Sequence, residues 1–206
     1  MSKAVIFDVG RVLFQWDLRH LFAKLIADPA QLEWFVTHVV TPEWHFQNDA
    51  GRDLDPMLAE RIAQFPDQAD LIRAYRARFN ETIPGMVAGM EALVQRLHSA
   101  GVPLFIISNF GDELWGRFRP TQPIFDLFDG FIISGTEKLA KPNPAIFTLA
   151  LERFGLAAED AVFIDDVPAN VAAAQSVGIA SHLFTDAATT AGWLSEQGVA
   201  GLSLSF

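Results

Sequence analysis

Five short stretches of the chain are almost uninterrupted in apolar character: residues 4–8 (AVIFD), 103–108 (PLFIIS), 130–134 (GFIIS), 161–165 (AVFID) and 180–184 (ASHLF). They lack the apolar–polar alternation of a strand with one wet face, so they predict strands covered on both faces, as in a parallel sheet. Between them the period lengthens. Residues 86–98 place Met86, Met90, Leu93, Val94 and Leu97 on one helical face, with Gly101 as a stop. Asn143 followed by Pro144 opens a helix over AIFTLALERF, because proline is tolerated at the first helical position. A further helix over residues 171–177 (VAAAQSV) ends at Gly178. Strand and helix alternate, which predicts an α/β chain with right-handed crossovers.

One interval breaks the alternation. From about residue 16 to residue 82 there is no convincing strand but several helical stretches, including 20–26, 56–64 and 69–79. An insertion of that size after the first strand predicts a helical subdomain over residues 16–82, with the core formed by residues 1–15 and 83–206. It should sit over the carboxyl ends of the strands, where open α/β sheets bind ligands. Pro84-Gly85 marks its return as a hinge, and residues 44–51 (WHFQNDAG) read as a loop facing the site, because polar residues and a glycine interrupt the helical pattern.

Composition narrows the classes. The 206 residues are 50% hydrophobic and 19% charged, enough apolar material for a full core and too much for disorder. With 15 Lys+Arg against 25 Asp+Glu the net charge is −10, and no basic run offers a nucleic acid a footing. Cysteine is absent, which excludes disulfides, thiol catalysis and cysteine-type zinc sites. The first apolar run carries Asp8 and Arg11, unlike a secretory segment, and no stretch of 18 apolar residues exists. A soluble, cytoplasmic protein without a membrane partner is the expectation.

Polar residues end the predicted strands. Asp8 ends the first, Ser108-Asn109 the second and Asp165-Asp166 the fourth, while Lys141-Pro142 lies in the loop after the third. Each alone is ordinary turn or cap chemistry. In a parallel sheet, however, all would converge on one edge.

These segments resemble the four motifs of the haloacid dehalogenase superfamily, most of whose members are phosphatases: FDVGRVLF the first, FIISN the second, KLAKPNPAIF the third and VFIDDVPANVAAA the fourth. They occur in order and span nearly the whole chain outside the insertion. The resemblance implies a Rossmann-like α/β core with a helical cap inserted after the first strand. Gly10 places the first motif near the DxGxV branch, which includes sugar-phosphate phosphatases. By resemblance, Asp8 is the nucleophile, and Asp8, Asp166 and the Gly10 carbonyl hold Mg²⁺, with Asp165 a direct or near ligand. Ser108, the Asn109 backbone N–H and Lys141 would bind the phosphoryl oxygens.

The chemistry is coherent from the residues up. A carboxylate can attack phosphorus and form an aspartyl-phosphate that water hydrolyses. Three crowded carboxylates raise one another's pKa unless a cation intervenes, and Mg²⁺ takes oxygen ligands from a few carboxylates, water and phosphate. Pro142 disfavours the α region at Lys141 and so helps hold it extended. Asn170 stands where many relatives carry another carboxylate.

Gly10 is the main departure, since the family's phosphatases carry there an Asp that protonates the leaving group and then activates water. His45 and His20 on the insertion are candidates for that work. Arg11 either meets an acidic group of the substrate or pairs with a carboxylate such as Asp17. Among the insertion's aromatics (Trp16, Trp34, Phe35, Trp44 and Phe46), most belong to its core and one or two to the cavity. The leading reading is a Mg²⁺-dependent phosphatase acting on a small phosphorylated metabolite, a sugar phosphate or nucleotide, as monomer or homodimer. Its rivals are a non-catalytic phosphate-ligand-binding or regulatory protein, a metal-independent 2-haloacid dehalogenase and a phosphoryl-transferring mutase. The apolar tail GLSLSF packs either on the domain or on a partner.

Overall fold

The computed structural model describes residues 3–202. All five expected strands form: β1 (Ala4–Phe7), β2 (Leu104–Ser108), β3 (Gly130–Ile133), β4 (Ala161–Asp165) and β5 (Ala180–Leu183). Every pairing is parallel, and the order is β3-β2-β1-β4-β5. Successive residues of β1 explain their apolar run. Ala4 and Ile6 pack into the core on one face of the sheet, and Val5 and Phe7 into the core on the other. With both faces covered there is no wet position to alternate with.

Helices pack around this sheet. Residues between β1 and β2 form α1 (Arg19–Phe22), α2 (Pro29–His38), α3 (Pro42–Asp49), α4 (Leu54–Gln64), α5 (Ala69–Ala77) and α6 (Met90–Ser99). Beyond β2 come α7 (Asp112–Phe118), α8 (Ser134–Glu137), α9 (Pro144–Phe154), α10 (Pro168–Ser176) and α11 (Ala187–Glu196). Among the described residues, none of these helices is long and apolar enough to cross a membrane.

Three expectations need correction. The 86–98 helix starts only at Met90, after a left-handed Gly89, because Met86 is bridged to Phe14 and Val87 donates to the Leu13 carbonyl. The stretch 20–26 is helical for one turn only. The expected loop at 44–51 is mostly α3. Thr41 caps that helix by accepting from Trp44 N at 3.1 Å, and Pro42 occupies its first position. At the expected hinge, the Gly85 carbonyl accepts from Gln15 N at 2.9 Å, and Asp17 N donates to Thr82 at 3.1 Å, so both ends of the insertion are stitched together. Of the C-terminal tail, Gly201 accepts from Arg96 Nε and Leu202 is buried, while residues 203–206 lie outside the described residues.

The strand order locates the site. The chain steps outward from β1 to β2 and β3, then returns to the other side of β1 for β4 and β5. That reversal opens a crevice at the carboxyl ends of β1 and β4, where Asp8 and Asp165-Asp166 stand.

Candidate active site

At the crevice, Asp8 directly follows β1, and its backbone N–H donates to Ile164 at 2.9 Å, tying the two strand tips together. Carboxylate oxygens of Asp8, Asp165 and Asp166 all lie within 4.8 Å of one another. Into this cluster comes Lys141 from the loop between α8 and α9. Its Nζ is 2.9 Å from Asp8 Oδ1 and 2.6 Å from Asp165 Oδ2, and its side chain is 1% exposed. Asn109 holds the lysine in place from the backbone. Its Oδ1 accepts from Lys141 N and its Nδ2 donates to the Lys141 carbonyl, both at 2.9 Å. The Lys141–Pro142 peptide is cis, a geometry the sequence reading does not anticipate.

The two adjacent aspartates have different work. Asp165 is fully buried and saturated: besides Lys141, it accepts from Val167 N at 2.8 Å and from Asn170 Nδ2 at 3.0 Å on both oxygens. Asn170 thus supports Asp165. Asp166 is part-exposed, with Arg11 Nε 3.6 Å away. Arg11 itself takes the left-handed conformation, uncommon for a residue other than glycine, and lies over the Trp16 ring at 5.6 Å. Its expected partner Asp17 pairs instead with Arg19, so that alternative is not what forms.

Electrostatics follow from the crowding. Burial, with Asp165 and Asp166 adding to it, pushes the Asp8 carboxyl up to about 7 despite the facing Lys141. Burial would lower Lys141, but Asp8 and Asp165 outweigh it and hold the ammonium above its ordinary value. Asp166 is raised too, by desolvation first and then Asp165, with Arg11 opposing.

A cavity of about 340 Å³ opens above these groups. Asp8, Gly10, Arg11, Asn109, Lys141 and Asp166 form its polar floor, while Trp16, Pro42, Phe46, Val167 and Ala169 give it an apolar wall. The structure therefore brings six of the eight expected site residues to one cavity. Ser108, 1% exposed at the tip of β2, and Asp165, held to Lys141, are buried and do not line it. The insertion contributes through α3: His45, Phe46 and Asp49 border the cavity, whereas His20 and Trp44 do not.

Asp49 falls inside the 44–51 segment expected to face the site, but the sequence reading does not single it out. A signal was present, because His45 and Asp49 are four residues apart and share a helix face.

The residues fit a magnesium ion. Three acidic oxygens gathered around a buried carboxyl whose pKa is pushed up form a hard, anionic donor set that a divalent cation would relieve.

Known proteins resemble this chain in sequence and in fold. The profile of the haloacid dehalogenase-like hydrolases matches residues 3–178. The sesquiterpene phosphatase astK of Aspergillus oryzae is 28% identical over 192 residues, covering 91% of this chain and 92% of the fungal protein. Among solved structures, a family enzyme of Bacteroides thetaiotaomicron, BT-2542, superposes with a TM-score of 0.70 at 22% identity, covering 90% of this chain and 94% of that one. The same enzyme has been solved with magnesium and inorganic phosphate, matching with a TM-score of 0.67 at 21% identity over 90% of this chain and 96% of that one. The L-2-haloacid dehalogenase of Xanthobacter autotrophicus superposes with a TM-score of 0.59 at 20% identity, covering 88% of this chain and 76% of that one. At these identities the structural likenesses speak for the fold.

Proposed function

The chain belongs to the haloacid dehalogenase-like hydrolases, and on that premise we propose a magnesium-dependent phosphatase that hydrolyses a small phosphomonoester through Asp8. One observation carries the reading: Asp8 is held by a buried ammonium beside an accessible second carboxylate, on the floor of a cavity of about 340 Å³. With Oδ1 held on Lys141, the other oxygen of Asp8 is left to attack phosphorus. The Asp8–phosphorus bond forms as the ester P–O bond breaks, and water then hydrolyses the aspartyl-phosphate. Lys141 offsets negative charge on both the nucleophile and the transferring group, which is most of what phosphoryl transfer asks of a protein. Ser108 and Asn109, at and just beyond the tip of β2, are assigned to the phosphoryl oxygens.

Magnesium would be held by Asp8, Asp166 and the Gly10 carbonyl, with Asp165 supporting Lys141 behind them. When bound, the ion would supply positive charge against the phosphoryl oxygens. Residues 16–82 act as the cap that closes the cavity from above. A metal-free dehalogenase has no use for three carboxylates at its nucleophile, so that rival is disfavoured.

The substrate is a phosphorylated metabolite such as a sugar phosphate or nucleotide. A second class, the phosphomonoester of an apolar alcohol, is favoured by the apolar wall of Trp16, Pro42 and Phe46, and by likeness to a protein named as a sesquiterpene phosphatase. The test is hydrolysis of p-nitrophenyl phosphate with Mg²⁺ and with EDTA, beside Asp8→Asn, followed by a sugar phosphate, a nucleotide and an isoprenyl monophosphate. Turnover should require the metal and vanish in Asp8→Asn. Phosphate binding without turnover on every ester would instead make the protein a binder.

A further inference from the structure

The phosphatase reading leaves a proton unassigned at each half of the reaction. The departing alkoxide needs one, and the attacking water must lose one. Gly10 has no side chain to carry either. Crowding does not account for the glycine, because a Cβ there would meet nothing within 4 Å. We propose that Asp49, on the helical insertion, is the general acid–base of this site, with His45 and Tyr75 as the residues that position it. The assignment rests on the phosphatase reading.

Asp49 borders the same cavity as Asp8 and Gly10. It is 5% exposed, and its two oxygens differ: Oδ2 lies 3.2 Å from His45 Nε2, while Oδ1 is buried without a hydrogen-bond partner. A buried polar atom left unpaired is rare and calls for a reason. Because Asp49 lines the cavity, a substrate oxygen that reaches Oδ1 as the cavity fills supplies one.

The supporting chain is rigid. His45 Nδ1 meets the Tyr75 hydroxyl at 2.6 Å, and the imidazole is stacked between Trp16 and Phe79, with centroids 4.9 and 5.7 Å away. Burial, reinforced by Asp49, raises the Tyr75 phenol well above its ordinary value, so it stays an O–H. Asp49 Oδ2 faces Nε2 as an acceptor, which leaves Nδ1 of the neutral ring to accept from that hydroxyl. Nε2 then carries the ring proton and donates to Asp49 Oδ2. Both nitrogens and both faces of His45 are taken, which leaves Asp49 Oδ1 as the atom free to act. Helix α3 is anchored to the core at this residue, since the Ser134 hydroxyl donates to the Asp49 carbonyl.

The steps balance. As Asp8 bonds to phosphorus and the ester P–O bond breaks, the proton on Asp49 Oδ1 passes to the leaving oxygen, releasing the alcohol. Water then attacks phosphorus, the Asp8–phosphorus bond breaks, and the proton of that water returns to Asp49 Oδ1.

Leaving-group dependence tests this. An alkoxide must be protonated to leave, whereas p-nitrophenolate needs no proton. In Asp49→Asn, kcat/KM should fall about 10²–10⁴-fold on n-butyl phosphate and much less on p-nitrophenyl phosphate. Rapid mixing of the variant with p-nitrophenyl phosphate should show a nitrophenol burst near one per site and then slow turnover, which also certifies a folded enzyme. Tyr75→Phe, which removes a single hydroxyl, should give the same leaving-group pattern at smaller amplitude, and it carries the test if Asp49→Asn does not fold. Equal losses on both esters, or no loss on either, would overturn the assignment while leaving the phosphatase reading intact. Wild-type protein silent on both esters would remove both.

Discussion

The cavity has two unlike halves. On the sheet side, charge is concentrated and almost wholly committed: Lys141 is locked between Asp8 and Asp165, and Asp165 accepts from three donors. On the helical side the wall is aromatic and aliphatic, and its one acidic group keeps an oxygen unpaired. The sheet side has the character of a rigid electrostatic frame, set by backbone that the β-ladder fixes. The helical side has the character of a surface that reads whatever is attached to the phosphate. If the division holds, damage to the frame should cost stability and turnover together, and damage to the helical wall should change selectivity at little cost to the fold.

The largest effect is expected at Lys141. Lys141→Met leaves two buried carboxylates facing each other without their cation, and breaking such a pair costs about 3–5 kcal/mol. For a domain of this size that is a fall on the order of 10 °C in melting temperature at pH 8, readable by thermal denaturation, with turnover lost as well. A stable but inactive variant would mean the frame is catalytic only, and the contrast between the halves would weaken.

Asp165 and Asp166 divide the frame itself. Asp165→Asn removes a charge that Lys141, Val167 N and Asn170 all address, so a loss of about 1–3 kcal/mol is expected in urea unfolding. Asp166→Asn, part-exposed and only loosely paired with Arg11, should stay within about 0.5 kcal/mol of wild type. It should nevertheless abolish the rise in melting temperature on adding Mg²⁺. Equal stability losses in the two variants would show that both aspartates are structural.

The frame was legible in the chain residue by residue, whereas the helical wall was legible only as the segment 44–51 and a few candidate aromatics, for a physical reason. Each strand declares itself by an apolar run, and a polar residue after such a run must emerge at the sheet edge. Asp8, Asn109 and Asp166 were therefore placed by local pattern and parallel topology alone. Helix α3 has a weak apolar face, so its start signal, Thr41-Pro42, was the clue to use, just as Asn143-Pro144 was for α9. Which of its residues meets the cavity depends on how the insertion docks, and that is decided by contacts such as Ser134 to Asp49, 85 residues apart in sequence. The left-handed Arg11 and its pairing with Asp166 are likewise products of tertiary placement. In 86–98 the apolar period ran on through a bridging segment, and only the left-handed Gly89 separates the two.

Acidity sharpens the frame further. Asp8 titrates near 7 in the fold against an ordinary 3.8, so between those values the metal-free native protein binds more protons than the unfolded chain. Its stability should therefore fall as pH rises from about 4 to about 7 through this group. Mg²⁺ must displace that proton below pH 7, so its affinity should weaken by about tenfold per pH unit there and level off above. Isothermal titration at pH 5.5, 6.5 and 8 reads the slope. A flat profile would mean Asp8 is not a ligand of the ion.

The smallest effect belongs to the other half. Phe46 borders the cavity with 42% of its surface exposed, so Phe46→Ala removes wall area without opening the core, and the change in stability should stay within about 0.5 kcal/mol. An apolar alcohol that packs on the ring loses roughly 25 cal/mol for every Å² no longer buried, so a contact of about 50 Å² is worth about tenfold in KM. That rise should appear for an isoprenyl monophosphate and be absent for a sugar phosphate, with kcat on either ester close to wild type. A matching rise on the sugar phosphate would mean that Phe46 shapes the site for every ester, and the helical wall would then be part of the frame instead of the surface that selects the alcohol.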